Sequence, residues 1–297
     1  MKKTAFIAIV GRPNVGKSTL LNAILGEKIA IVSSKPQTTR NRITGIHTVG
    51  ENQYVFLDTP GIHKPRTKLG DYMVKSATGA IGSSDAVILI AEADKPAGDI
   101  EKAIIEQIKR TKLPCILALN KIDVTDREKI AAAITSYAEL CDFASVVPIS
   151  ALKEKNIEII LAELEPFMTE SEWFFPEDMI TDQPERQIVA ETIREKLLRT
   201  LNDEIPHGTA VVIEEFTEEK DIIKIRAEIY CERESHKRIV IGKNGEALKL
   251  VGTYARQDLE AFFGVQVYIN LWVKVKEKWR DNPSNLSNLG FNPKDLK

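Results

Sequence analysis

The sequence Gly11-Arg12-Pro13-Asn14-Val15-Gly16-Lys17-Ser18 decides the fold of the N-terminal half of the chain. It satisfies the pattern G-x-x-x-x-G-K-[ST], follows an apolar run at residues 6–10, and precedes a helical segment that begins near Lys17. A glycine-rich turn between strand and helix directs backbone N–H groups at a phosphate, and the helix N-terminus adds partial positive charge. The stretch therefore predicts a nucleoside triphosphate site at the end of the first strand.

Short apolar runs recur through the first half of the chain. They are rich in Val, Ile and Leu with little alternation, which is typical of strands buried on both faces of a mostly parallel sheet. They lie at residues 6–10, 54–57, 86–90, 115–119 and 145–149. Together with the phosphate-loop motif, these runs predict that residues 1–172 form an α/β, doubly wound P-loop NTPase domain.

The pattern changes at Trp173-Phe174-Phe175-Pro176, and residues 173–185 are predicted to be a linker. Helix-like and strand-like runs follow, at residues 185–202, 209–216, 222–231, from 246 onwards and at 265–275. This order predicts a smaller α+β domain over residues 186–281, with a C-terminal tail at residues 282–297.

Composition limits the classes of function. The 297 residues include 41 Lys and Arg and 43 Asp and Glu, so the formal net charge is −2. Binding of nucleic acid would therefore need a local basic face. Three widely spaced cysteines favour free thiols in a reducing compartment. No apolar run reaches the ~18 residues of a membrane span, so we expect a cytoplasmic protein without a transmembrane segment; peripheral contact with the inner face of the membrane stays open.

The triphosphate and its metal would be bound by the end of the phosphate loop and by two further groups of residues. Lys17 would reach the β- and γ-phosphate oxygens and Ser18 would ligate Mg²⁺. Asp58-Thr59-Pro60-Gly61 follows another apolar run, so that Asp58 would hold Mg²⁺ through water and the Gly61 N–H would face the γ-phosphate. Thr38 or Thr39 could add a hydroxyl. The phosphate-binding residues predicted from the first loop are Gly11, Asn14, Val15, Gly16, Lys17, Ser18 and Thr19.

Asn120-Lys121-Ile122-Asp123 would read the base. The Asp123 carboxylate would accept two N–H bonds from guanine, whereas adenine presents an acceptor there and would leave a buried polar group unpaired. As a short motif it could instead cap a helix through Asp123. Ser150-Ala151-Leu152-Lys153 supplies another loop near the base, so five loops meet where α/β proteins bind ligands.

In this order the motifs resemble those of the translation-factor-related GTPases. Arg12-Pro13-Asn14 and Pro36-Gln37-Thr38-Thr39-Arg40 extend the resemblance to a bacterial GTPase family with a C-terminal KH domain. The resemblance implies GTP hydrolysis, GTP or GDP with Mg²⁺ as cofactors, and nucleotide-dependent switch loops at residues 36–41 and 61–69. It places the Mg²⁺-ligating threonine at Thr39.

Ile62 stands where Ras-like enzymes have a glutamine that orients water, so we expect slow intrinsic hydrolysis with Lys17, Thr39 and Gly61 as catalytic groups. Ile62 is equally compatible with a hydrophobic anchor for the switch loop. The resemblance further implies that K⁺ at Asn14 supplies the charge of an arginine finger, which makes Asn14 a fourth catalytic residue. Alternatively, Asn14 only accommodates the backbone of the loop.

Gly242-Lys243-Asn244-Gly245 matches the G-x-x-G loop with which KH domains clamp about four single-stranded nucleotides. The order of elements around it resembles a type II KH domain. A basic group with tryptophans follows at residues 272–280, either for RNA or as a solvated helix face with its tryptophans packed inward. The predicted RNA-binding residues are Arg238, Ile241, Gly242, Lys243, Asn244, Gly245, Lys249, Lys274, Lys276, Lys278 and Arg280.

The resemblance implies the partners as well. They are single-stranded ribosomal RNA, at the 3′ end of 16S ribosomal RNA, and the 30S subunit, with a role in small-subunit assembly or maturation. Two other functions stay open: a binding module in which GTP gates RNA association and hydrolysis is incidental, and an ATP-driven RNA-handling protein. Asp123 disfavours the second.

Overall fold

The N-terminal half forms a sheet with the strand order β2-β3-β1-β4-β5-β6 in the computed structural model, which describes residues 1–33, 35, 37–202 and 205–291. Strands β1, β3, β4, β5 and β6 are parallel, whereas β2 and the short β7 pair antiparallel with β3 and β1. The strands are β1 Lys3–Val10, β2 Ile43–Val49, β3 Asn52–Asp58, β4 Ala86–Glu92, β5 Cys115–Asn120, β6 Ser145–Pro148 and β7 Thr169–Glu170. The predicted mostly parallel sheet is confirmed.

Helices cover both faces of this sheet. Alternate residues of β1 point to opposite sides, with Ile7 and Ile9 in one core and Ala8 and Val10 in the other, which explains why its sequence is apolar without alternation. Because the carboxyl ends of the parallel strands share one edge, the loops after β1, β3, β5 and β6 lie together. The helices are α1 Lys17–Leu25, α2 Lys68–Gly82, α3 Asp99–Thr111, α4 Arg127–Ala138 and α5 Ile157–Leu164.

Strand β2 was not predicted from the sequence. It is an edge strand, and its sequence mixes apolar residues with Gly45, His47 and two threonines. A Cβ at Gly45 would lie only 2.6 Å from Leu21 Cδ1 of α1, so a larger residue would have to displace this buried side chain, and close packing favours glycine in a strand that would otherwise disfavour it. The pattern is thus governed by a tertiary contact.

The predicted linker runs along the β2–β3 edge. The Gln53 side chain accepts hydrogen bonds from the N–H groups of Phe174 (3.0 Å) and Phe175 (3.1 Å) and donates to the Phe175 carbonyl (2.9 Å). Further along, the Thr181 hydroxyl donates to the Thr44 carbonyl at 2.7 Å. Side-chain and backbone bonds therefore fix this connection to the sheet.

The C-terminal half has a second sheet in the order β10-β9-β8, with β9 and β10 parallel. Helices α6, α7 and α8 cover one face, where Ile225 and Ile229 pack with Val251 and Ala255. Helix α7 was not predicted, because of its eight residues only Val240 is fully buried. The elements are α6 Glu185–Thr200, β8 Ala210–Glu219, β9 Ile222–Cys231, α7 Glu234–Ile241, α8 Glu246–Phe263 and β10 Gln266–Val275.

The segment after β10 returns to the first domain. Helix α9, Pro283–Asn288, begins after Asn282, whose side chain accepts from two backbone N–H groups of its first turn. An apolar cluster joins this segment to α2 and contains Leu69, Tyr72, Met73, Trp279, Leu286, Leu289 and Phe291. The predicted tail thus packs on α2 as far as residue 291, and residues 292–297 lie outside the described residues.

Candidate functional site

A cavity of about 440 Å³ opens at the carboxyl edge of the first sheet. Most of the residues predicted to bind nucleotide line it: Asn14, Gly16, Lys17, Ser18, Thr19, Thr39, Gly61, Asn120, Lys121, Asp123 and Leu152. The other predicted residues are buried beside it, namely Gly11, Val15, Asp58, Ser150 and Ala151. The cavity is also lined by Ile31, Val32 and Ser33, which sequence reasoning missed because no motif marks them. Pro36 of the predicted switch loop lies outside the described residues.

The phosphate loop wraps around the amine of Lys17. The Nζ atom donates to the carbonyl of Arg12 at 2.7 Å and to that of Gly11 at 3.3 Å. Burial lowers the pKa of Lys17 to about 8, against the opposing charge of Asp58. Gly16 has φ 106°, and a Cβ there would lie 2.2 Å from Nδ2 of the buried Asn120, so any other residue would strain the loop.

Ser18, Thr39 and Asp58 converge on one point. The Ser18 hydroxyl lies 2.6 Å from Asp58 Oδ2 and 2.8 Å from Thr39 Oγ1. Burial raises the pKa of Asp58 to about 6, although the charge of Lys17 and the Ser18 hydrogen bond oppose this shift. Within the described residues the buried Asp58 Oδ1 has no hydrogen-bond partner. Two hydroxyls and a carboxylate with a spare oxygen are the hard donors that suit Mg²⁺.

The neighbouring Thr38 faces elsewhere. Its hydroxyl donates to the Lys35 carbonyl at 2.7 Å, within its own loop. The Thr39 hydroxyl, and not that of Thr38, thus lies beside Ser18, and the role of Thr39 as a Mg²⁺ ligand stays a prediction.

Gly61 and Ile62 lie against the phosphate loop. A Cβ at Gly61 would lie 2.6 Å from the Pro13 nitrogen, so only glycine permits this approach. The Ile62 N–H donates to the Gly11 carbonyl at 3.0 Å, and the Ile62 side chain packs against the hydrophobic core. The side chain that replaces glutamine thus behaves as a hydrophobic anchor.

Hydrogen bonds of Asn120 and Ser150 link the two loops that are predicted to bind the base. Asn120 Nδ2 donates to the Val15 carbonyl at 2.7 Å, and Asn120 Oδ1 accepts the Ala151 N–H at 2.9 Å. The Ser150 hydroxyl donates to Asp123 Oδ1 at 2.6 Å. Helix α4 begins after Asp126, so Asp123 is not its N-cap. The geometry supports base recognition by this carboxylate.

The G-x-x-G loop joins α7 to α8. Positive φ angles at Gly242 (75°), Asn244 (53°) and Gly245 (81°) bend the chain there, and a Cβ at Gly242 would lie 2.9 Å from the Ala247 nitrogen. Lys243 and Asn244 are exposed. A groove of about 530 Å³ continues between α8 and β10. It includes Thr253, Arg256 and Tyr268, which the sequence analysis missed although Lys249, Thr253 and Arg256 share one helix face.

Of the predicted basic residues at 274–280, Lys274, Lys276 and Arg280 contact other groups of the protein itself. Lys274 forms an ion pair with Glu228 on the sheet face opposite α7 and α8, and Lys276 lies 5.2 Å from the Tyr230 ring centroid. Arg280 pairs with Glu232 at 2.6 Å. Of the two tryptophans, Trp279 is buried and Trp272 is 58% exposed, and neither lies in an α-helix. The predicted roles of these cations in RNA binding stay predictions.

Fold and site together define a P-loop GTPase joined to a KH domain. A family model described as "50S ribosome-binding GTPase" matches residues 6–121, and a KH domain model matches residues 204–280. The chain is 53% identical to the GTPase Era of Clostridium botulinum (strain Okra / Type B1) over 98% of this chain and 99% of that protein. The chain belongs to the GTPase Era family.

Another relative and two solved structures support the same family. The GTPase Era of Clostridioides difficile (strain 630) is 51% identical over 99% of this chain and all of that protein. A crystal structure of Era with MgGDPNP and nucleotides 1506–1542 of 16S ribosomal RNA has a TM-score of 0.95 at 38% identity, covering 98% of this chain and 100% of that one. A variant of Aquifex aeolicus Era bound to GDP and AlF4⁻ has a TM-score of 0.94 at 38% identity, covering 98% and 99%. Among the helices of the described residues, none combines the length and apolarity needed to cross a membrane.

Proposed function

We propose that this GTPase binds the single-stranded 3′ end of 16S ribosomal RNA in the 30S subunit and acts in assembly or maturation of that subunit. One observation carries the proposal: the exposed Gly242–Gly245 loop opens into the groove between α8 and β10. Its glycines let a backbone approach, and Lys243 and Lys249 stand where they can neutralise phosphates. The Era structure solved with 16S nucleotides 1506–1542 supports the choice of RNA.

Within the nucleotide site we assign a role to each converging group. Lys17 holds the β- and γ-phosphate oxygens, and the Gly61 N–H faces the γ-phosphate. Ser18, Thr39 and Asp58 hold Mg²⁺, directly or through water, and the ion when bound neutralises charge that develops on the phosphates. Asn120, Lys121 and Asp123 bind guanine, with Ser150 fixing Asp123. Slow hydrolysis follows, because the packed Ile62 cannot orient water.

We further propose that K⁺ bound near Asn14 accelerates hydrolysis. Asn14 is an exposed residue of the phosphate loop that lines the cavity, and its φ is 64°. The same left-handed geometry supports the alternative in which Asn14 serves only the backbone. Single-turnover hydrolysis should be faster in K⁺ than in Na⁺, and equal rates would remove the ion from the mechanism.

The RNA assignment is tested by crosslinking the full-length protein to cellular RNA and sequencing the adducts. Reads should concentrate at the 3′ end of 16S ribosomal RNA and fall in a Lys243→Glu variant. Lys102→Glu makes the same charge change on an exposed residue of α3 and should keep the pattern. Adducts spread over unrelated RNA would refute the assignment. Equal RNA affinity with GTP, GDP and no nucleotide would mean that the nucleotide state does not control RNA binding.

We also propose that the protein is located in the cytoplasm. Cys115, Cys141 and Cys231 are free thiols, which suits the reducing cytoplasm. Peripheral contact with the membrane stays a prediction.

A further inference from the structure

Most of the switch segment (residues 31–33, 35 and 37–40) lines the nucleotide cavity, yet residues of the KH half hold this segment in place. The Val32 N–H donates to Glu195 of α6 at 3.1 Å. At the other end, the Arg40 guanidinium is buried and donates to the His207 carbonyl at 2.9 Å. The position of this segment in the nucleotide site thus depends on the KH half, which contributes no residue to the phosphate loop.

Arg194 of α6 contacts the residue that precedes Thr39. Its Nη2 atom donates to the carbonyl of Thr38. The guanidinium is itself held by Glu191, through Nε to Oε1 at 2.8 Å and Nη2 to Oε2 at 2.5 Å. Only 2% of its side chain is exposed. A planar, charged donor fixed by a carboxylate and shielded from water gives a strong and directional hydrogen bond.

This bond constrains the following residue, Thr39. The peptide unit is planar, so fixing the Thr38 carbonyl also fixes the direction of the Thr39 N–H and the start of that residue. The Thr39 hydroxyl lies 2.8 Å from Ser18 Oγ, in the group that suits Mg²⁺. The bond made by α6 thus holds the backbone from which the Thr39 hydroxyl reaches Ser18.

We propose that Arg194 is a positioning residue for GTP hydrolysis, which holds the Thr38 carbonyl so that Thr39 is presented to Mg²⁺. The inference rests on the proposed function, in which Thr39 is a Mg²⁺ ligand. Within the described part of the chain, the hydrogen bonds of the Arg194 guanidinium go to Thr38 and Glu191. Its effect should therefore be confined to the bound state in which Thr39 is a Mg²⁺ ligand. Disruption of the RNA-binding half at this one bond would then slow a reaction in the other half.

The test compares Arg194→Gln with the unmodified full-length protein in single-turnover GTP hydrolysis at varied Mg²⁺. We expect the rate constant to fall roughly tenfold and the Mg²⁺ requirement to rise, because one hydrogen bond from a charged group is lost. The KM for GTP and the affinity for GDP should change less than about twofold. Arg186→Gln makes the same change on exposed α6 surface, where the side chain contacts the Ile213 carbonyl instead, and should leave all four quantities unaltered.

The Arg194→Lys variant tests whether Arg194→Gln acts only by disturbing the fold. Lysine keeps the positive charge beside Glu191 but lacks the planar fork that serves Glu191 and Thr38 together. Its hydrolysis rate should therefore lie between those of the unmodified protein and Arg194→Gln. If both Arg194 variants lost GDP affinity in step with hydrolysis, Arg194 would be a structural residue and the proposal would be overturned.

A double-mutant cycle with Thr39→Ala distinguishes the two proposals. If Arg194 acts through Thr39, Arg194→Gln should slow the Thr39→Ala protein by less than about twofold. A full tenfold loss in that background would overturn the positioning role alone. If Thr39→Ala itself left the Mg²⁺ dependence unchanged, the proposed metal site would fail instead.

Discussion

The phosphate loop and the G-x-x-G loop are built alike and placed differently. Each precedes a helix, and each has an asparagine and a glycine with positive φ: Asn14 (64°) and Gly16 (106°) before α1, Asn244 (53°) and Gly245 (81°) before α8. Both bring backbone N–H groups to a helix N-terminus, where phosphate is favoured. Local backbone geometry alone does not distinguish a nucleotide site from an RNA site.

Burial distinguishes them. Lys17 is buried inside its loop and faces the buried Asp58, whereas Lys243 and Asn244 stand in solvent. A buried cation acts over a short distance with little screening, and an exposed one acts on a long polyanion and is screened by salt. One loop therefore suits a compact triphosphate with a metal, and the other suits an extended backbone.

The largest effect should come from Lys17→Ala. Loss of a buried cation aimed at the reacting phosphate should slow single-turnover GTP hydrolysis on the order of a hundredfold to a thousandfold. RNA affinity without nucleotide, measured by fluorescence anisotropy, serves as the control and should be unchanged. A comparable loss of RNA binding would mean that the two loops are not independent.

Asp123→Asn tests which base the buried site reads. GTP affinity should fall roughly a hundredfold, because an amide cannot accept both guanine N–H bonds. Affinity for xanthosine triphosphate should rise, since its altered edge offers an acceptor to the new donor. Titrations with fluorescent nucleotides measure both. Unchanged GTP preference would reopen the ATP-driven alternative.

At the exposed loop, Lys243→Glu should weaken binding of a single-stranded RNA oligonucleotide about tenfold and lower the slope of log affinity against log salt by about one. Anisotropy titrations at several KCl concentrations report both quantities. Lys102→Glu is again the matched control. If the affinity falls but the salt slope stays the same, Lys243 does not contact a phosphate.

The pH dependence of Mg²⁺ binding tests the buried carboxylate. The pKa of Asp58, raised to about 6, means that its folded site retains a proton at lower pH, and Mg²⁺ must displace it. Mg²⁺ affinity of the GDP-bound protein should fall about tenfold between pH 7 and pH 5. Asp58→Asn reports the contribution of the nucleotide alone, and the difference between the two proteins isolates Asp58. Equal pH profiles would contradict the assignment.

The smallest effect is expected at Lys274. Glu228 already pairs with it, so Lys274→Gln should change RNA affinity by less than about twofold. The same anisotropy assay applies. A loss as large as that of Lys243→Glu would extend the RNA-binding surface to the opposite face of the KH sheet.

The sequence by itself determined the elements whose cause is local. The phosphate loop, the Asn120–Asp123 motif and the G-x-x-G loop are each a continuous stretch of sequence, and the positive φ angles of Gly16 and Gly245 favour glycine for a local reason. The strands buried on both faces were predicted because burial shows directly as an apolar run. Strand β2 and helix α7 were not predicted. An edge strand with a packed glycine and a helix with one fully buried residue show little hydrophobic periodicity in their sequences.

Only the tertiary structure decided how the two halves meet. Arg194 and Thr38 are separated by 156 residues, and the cluster of Trp279 and Phe291 with Met73 of α2 spans a longer interval. No sequence pattern predicts such long-range contacts, because each partner alone looks like an ordinary arginine, threonine or apolar residue. Choosing Thr39 over Thr38 on geometry needed the same information, since adjacent hydroxyls differ only in where the folded chain points them.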